Sequence, residues 1–97
     1  MPSYVILGNY TEQGIKDVKN VRSRVEATKQ VLQEAGGRLI AFYLTFGEYD
    51  FLSIVEVPNS ETAARLALSV GAQGNVRTTT MQAFTEEETW AIAESLP

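Results

Sequence analysis

Residues 46–51 read FGEYDF, and around them stand the groups from which a polar site could be built. Asp50 is a carboxylate that accepts hydrogen bonds or, in an enzyme, removes a proton. Tyr43 and Tyr49 carry phenols, Thr45 a hydroxyl, and Gly47 a backbone free to take a positive φ. Arg77 adds a guanidinium fork suited to anions. Three kinds of chemistry are open to this set. In a self-satisfied turn, Gly47 bends the chain, Asp50 accepts turn N–H groups and Arg77 answers its charge. In a binding site, Arg77 and the turn amides hold a polar or anionic small molecule, framed by Tyr43 and Tyr49. In a catalytic site, Asp50 is the base and a tyrosine the acid. The last asks most: an aspartate near pKa ~3.9 and a tyrosine near ~10 both need large shifts at neutral pH. No catalytic residue follows from the sequence.

Other chemistry is excluded by what the chain lacks. Its 97 residues contain no histidine and no cysteine. That removes the Ser-His-Asp triad, the thiolate nucleophile, the disulfide and the commonest metal ligands. The glycines of GGR and GAQGN lack phosphate-loop spacing, so no nucleotide motif is present. Glu86, Glu87 and Glu88 are consecutive at a helix start, where they fan apart and complement the dipole rather than gather on a metal. No metal and no cofactor are expected. The net charge of −4 argues against nucleic acid, whose binding requires neutralised phosphates. Lys16, Lys19, Arg22, Arg24 and Lys29 are interleaved with Glu12, Asp17 and Glu26 and read as a solvated helix face. The N-terminus does not resemble a secretory signal, and no run is long enough to cross a membrane. A cytoplasmic location is the expectation.

These residues must be positioned by one domain, residues 1–97, large enough to bury a core with 44% hydrophobic residues. SYVILGNY reads as a first strand. Thr11 caps a helix carrying Ile15, Val18, Val21, Val25, Thr28, Leu32 and Ala35 on one stripe, with a break expected near Asn20. Gly36-Gly37 ends it. RLIAFYLTF and YDFLSIVEV are strands two and three, closed by Pro58. Asn59 or Ser60 caps a helix over ETAARLALSV, NVRTTTMQAF is a fourth strand, and Thr85 with Glu88 opens a last helix at capping-box spacing. The order β-α-β-β-α-β with right-handed crossovers leaves one compact solution. It is an α+β, ferredoxin-like antiparallel sheet in order 4-1-3-2, with helices on one face and a C-terminal helix added.

That sheet is apolar on both sides. Val5, Leu7, Ile40, Leu44, Leu52 and Ile54 form an aliphatic set expected under the helices. Tyr4, Ile6, Ala41, Tyr43, Thr45, Phe51, Ser53, Val55, Thr78, Thr80 and Phe84 form a second set that water would not cover without an unusually large exposed patch. A second copy of the chain is the economical cover, giving a homodimer or larger assembly whose facing sheets enclose a small-molecule cavity. Topology also brings the FGEYDF turn and Arg77 to one edge, with Gly8 leaving a path between Asp50 and Arg77. A purely structural assembly unit and a cofactor-independent enzyme are the alternatives to a binding module.

The stretches LTFGEYDFLSIVEVPNSETAARLAL and GNVRTTTMQAFT, with the opening YVILGNYTEQGIKDVK, resemble the GYD-domain family. The signature stands here as Gly47, then Tyr49-Asp50, with Glu48 between. The resemblance implies a ferredoxin-like domain of the dimeric α/β-barrel type. It implies no established activity and no catalytic residue.

Overall fold

A computed structural model describes residues 1–97. Four strands, β1 (Ser3–Tyr10), β2 (Arg38–Leu44), β3 (Phe51–Glu56) and β4 (Val76–Ala83), form one antiparallel sheet in order β2-β3-β1-β4. This is the expected α+β, ferredoxin-like order, read from the other edge. The helices are α1 (Glu12–Lys16), α2 (Val21–Glu34), α3 (Ser60–Ala72) and α4 (Glu86–Glu94).

The local signals explain the boundaries. The Thr11 hydroxyl accepts the Gly14 N–H, which satisfies one of the orphan donors of the first turn. The helical stripe breaks where expected, in a single 3-10 turn at Val18–Asn20 before α2 begins. Asp17 lies at the break, bonded to the Asn20 amide and paired with Arg24. Asn59, the first of the two expected caps, accepts the Thr62 N–H and opens α3. The capping box at α4 is complete in both directions: the Glu88 N–H donates to Thr85 and the Thr85 N–H donates to the Glu88 carboxylate. Gly36 takes a φ of 82° just after α2, as a left-handed helix stop requires.

The two faces of the sheet are reversed from the sequence expectation. Tyr4, Phe51, Ser53 and Val55 are buried, and the core is built from Tyr4, Val55 and Val57 against Leu32, Ala63 and Leu66 of the helices. Val5, Leu7, Leu52 and Ile54 lie on the other, uncovered side and are only half-buried. The expected aliphatic set therefore does not sit under the helices. Period two separates the sides of a strand, but it does not say which side receives the helices when both are apolar. A β-bulge between Leu39 and Ala41 then mixes the sets further. Leu39 pairs with Val55 and Phe42 with Ser53, so both join the helix side, while Ala41 and Tyr43 turn to the open side. Ile40 falls in the bulge and Leu44 at an uncovered end, and both are exposed.

Candidate functional site

The hairpin between β2 and β3 closes on itself. The Thr45 N–H donates to the Asp50 carbonyl at 2.8 Å, and the Thr45 hydroxyl donates to the Tyr49 carbonyl at 2.6 Å. Gly47 holds a φ of 120° with no atom near the position a Cβ would occupy. It is needed for conformation, not for space. The Asp50 N–H donates to the Gly8 carbonyl at 2.8 Å, and its carboxylate accepts the Tyr10 N–H at 2.9 Å. Asp50 thus extends the β1–β3 ladder past the last paired residues.

Arg77 does not join Asp50. It is exposed, makes no ion pair, and sits opposite Asn9 in the β1–β4 register. The path expected at Gly8 is filled: a Cβ there would lie 2.0 Å from the Phe51 ring. Gly8 is bare to seat that ring, not to let a guanidinium pass. Of the six candidate residues, Thr45, Gly47, Tyr49 and Asp50 come together in the turn. Tyr43 and Arg77 occur at registers of the open sheet face, Tyr43 60% exposed.

A second feature lies on the opposite side of the sheet. Between α2, α3 and the strands is a cavity of about 390 Å³, with an aromatic wall made by Phe42, Phe51 and Tyr10. The Phe42 and Phe51 rings stack at 5.7 Å and Tyr10 tilts against Phe51 at 5.6 Å. Val25, Val31 and Val70 line the helical side. Tyr10 and Arg24 are among the lining residues, as are Ser23, Thr28, Ser53 and Thr78; the Tyr10 hydroxyl and Arg24 Nη1 themselves are sealed from solvent and have no hydrogen-bond partner. Burial, together with the nearby Asp50 charge, pushes the Tyr10 phenol above its usual range, against an opposing pull from Arg24. The other guanidinium nitrogen of Arg24 is spent on Asp17, donating to both its carboxylate and its carbonyl. That pairing, with the Asn20 amide, holds Asp17 below the usual aspartate range.

Sequence reasoning placed Arg24 on a solvated face and Tyr10 at the end of the first strand, and it missed the cavity. One signal was available: Arg24 and Thr28 sit within the apolar stripe of α2, one turn apart.

The chain matches the GYD domain over residues 4–93. It belongs to the GYD-domain family. A Thermus thermophilus protein described as "Glutamine synthetase and cystathionine beta-lyase binding protein" is 33% identical over 85 residues, which span 87% of this chain and 90% of that one. Among solved structures, a hypothetical protein of Pyrococcus horikoshii, PHS023, superposes with a TM-score of 0.60 at 20% identity, covering 89% of this chain and 93% of its own. TTHA0845 from Thermus thermophilus superposes at 0.53 with 21% identity, covering 88% and 95%. At such identities these likenesses speak to the fold alone. The GYD-domain chain has no helix long and apolar enough to cross a membrane.

Proposed function

We propose that this GYD-domain chain is a homo-oligomeric binding module that assembles through the open face of its sheet. One observation carries the reading: the face bearing Val5, Leu7, Ala41, Tyr43, Leu52, Ile54 and Met81 is apolar and nothing in the chain covers it. Four strands at about 4.8 Å spacing and ~3.3 Å rise present a face of roughly 20 by 20 Å. Trp90 and Ile92 of α4 are also open to solvent, further apolar surface with which an assembly would approach the roughly 800 Å² per partner of a stable interface. A second identical sheet across a two-fold axis satisfies both surfaces at once. In that assembly a small molecule is held where the face meets the hairpin. Tyr43 and Arg77 lie on the face there, and Thr45, Gly47, Tyr49 and Asp50 at its edge.

A second reading has its own support. The Thermus relative is described as a binding protein for two enzymes, and an enzyme surface is an alternative cover for the same face. Light scattering on the purified chain separates the two. A dimer or larger species at micromolar concentration, reduced to a folded monomer by Leu7→Glu with Ile54→Glu, is the expected result. A folded monomer of the unaltered chain sinks self-assembly and leaves the partner-protein reading.

A further inference from the structure

We infer that the cavity between α2, α3 and the sheet is a ligand site for a small, mainly apolar and uncharged molecule whose one hydroxyl or carbonyl bonds to the Ser53 hydroxyl. The site lies on the face of the sheet opposite the proposed interface, so it stands apart from the assembly reading.

Ser53 belongs to the row of β3 that faces the helices, between Phe51 and Val55, and its strand neighbours are Ile6 on one side and Phe42 on the other. All four are apolar, and such a position favours a β-branched or aromatic residue. At 8% exposure Ser53 is the one polar side chain buried in the protein. It takes part in no side-chain hydrogen bond, although native structures rarely leave a buried hydroxyl unmatched. The Tyr10 hydroxyl and Arg24 Nη1 are unmatched and sealed from solvent; the Ser53 hydroxyl is not among the sealed atoms. Unbonded and unsealed, it opens on the cavity that Ser53 lines.

The rest of the lining sets the size and charge of the occupant. A volume of about 390 Å³ lies within the range of small-molecule sites, which are mostly apolar with a few polar groups. Ile6, Val25, Phe42, Phe51 and Val70 supply the apolar walls. The other hydroxyls are accounted for. Thr28 donates to the Arg24 carbonyl, and Ser23 and Ser69 are exposed at the helical mouth. Thr78 is half-buried on β4, with β1 between it and Ser53. Two strand spacings are about 10 Å, so one head group reaches Ser53 or Thr78, not both. Tyr10 and Arg24 are the only ionisable residues of the lining, and Asp17 answers the Arg24 charge. A charged ligand would be buried without a counter-charge, which is costly. A neutral hydroxyl or carbonyl avoids that cost, and the serine hydroxyl serves either, since it both donates and accepts.

Titration of the full chain with three probes of one shape, followed by NMR of the cavity methyl groups, tests this. The probes are hydrocinnamyl alcohol, propylbenzene (no polar group) and hydrocinnamate (a carboxylate). The alcohol is expected to shift the Val25 and Val70 methyl signals saturably, with hydrocinnamate at least about tenfold weaker. The ratio of alcohol to propylbenzene affinity isolates the head group, because the two share their apolar surface. In Ser53→Ala that ratio should fall about fivefold, the scale of one hydrogen bond, with propylbenzene unchanged. Folding stability should not fall, because the hydroxyl has no partner in the chain to lose. An unaltered ratio in Ser53→Ala overturns the role of Ser53, as does a fall seen in Thr78→Val instead. Hydrocinnamate binding more tightly than the alcohol overturns the uncharged head. No methyl shift with any probe overturns the site. Methyl signals that move with protein concentration alone make a second copy the occupant and overturn the small-molecule assignment. Oligomeric state is read separately, so a monomer that binds the alcohol keeps this site and loses only the proposed assembly.

Discussion

Gly14, Gly8 and Gly47 look alike in the sequence, yet three different physical reasons hold them. A Cβ on Gly14 would lie 1.9 Å from the Asn75 carbonyl oxygen. That oxygen already accepts the Thr11 N–H at 3.0 Å, so neither backbone can retreat without breaking the junction of α1 with β4. Gly14→Ala should cost about 3 kcal/mol in chemical denaturation, the upper part of the overpacking range. Gly47→Ala meets no atom and should lose only about 1 kcal/mol, the conformational penalty of its positive φ. A larger loss at Gly47 than at Gly14 would contradict both assignments. Asp50→Asn and Arg77→Gln should be additive within about 0.5 kcal/mol in a double-mutant cycle, because Asp50 serves the Tyr10 N–H and Arg77 stands apart. Tyr10 ionises late: its folded pKa is raised, so the neutral form is the one the fold favours. Stability from this group is complete below the ordinary tyrosine pKa and is lost as pH rises through the raised folded value. Ultraviolet titration should show a phenolate step above the ordinary tyrosine range that disappears in Tyr10→Phe.

Among the elements, α4 is the one held by its own chemistry instead of by packing. All of its residues are exposed, and a helix this short is marginal without help. The help comes from the capping box and from Glu86, Glu87 and Glu88 in its first turn. The hydrogen bond from the Thr85 N–H keeps the Glu88 carboxyl below the ordinary glutamate range. A lowered folded pKa means that this support is present above the ordinary glutamate pKa and is lost as pH falls through the lowered value. Residue-resolved NMR should show α4 fraying at acid pH while α2 and α3 persist, and Glu88→Gln should leave the ends of α4 less protected at neutral pH. Simultaneous melting of all three helices would tie α4 to the body more firmly than its exposure allows. α3 differs in kind: its Asn59 cap is reinforced by Ala63 and Leu66 packing into the core, so it should follow global unfolding.

For the whole molecule, the two faces of the sheet have different tasks. The helix side carries the core and the cavity; the open side carries aliphatic residues that a single copy leaves uncovered. Removing residues 85–97 should leave the four-stranded body folded, since α4 has no buried residue, while shifting the proposed assembly toward monomer. Circular dichroism and light scattering on the same sample read both effects. Unfolding of the truncated chain would show that α4 belongs to the body.

The order of elements, the caps at Thr11, Asn59 and Thr85, the break before α2 and the sheet order were all legible in the chain. Each follows from neighbours within a few residues, or from the handedness of crossovers, which a linear pattern carries. The self-closing turn at Thr45–Asp50 was among the readings open from the start. What the chain could not assign was the side of the sheet that meets the helices. With both sides apolar, one extra residue near Ile40 was enough to turn Tyr43 outward and Phe42 inward. The cavity was hidden for the same reason. Tyr10 and Arg24 line one cavity only when β1 and α2 are laid against each other, and charge patterning along α2 spoke for solvent. Only the packed structure could show Phe51 on Gly8 in place of an arginine. It alone shows the Tyr10 hydroxyl and Arg24 Nη1 buried without partners, because distance in space, not spacing in sequence, decides which polar groups are left without a partner.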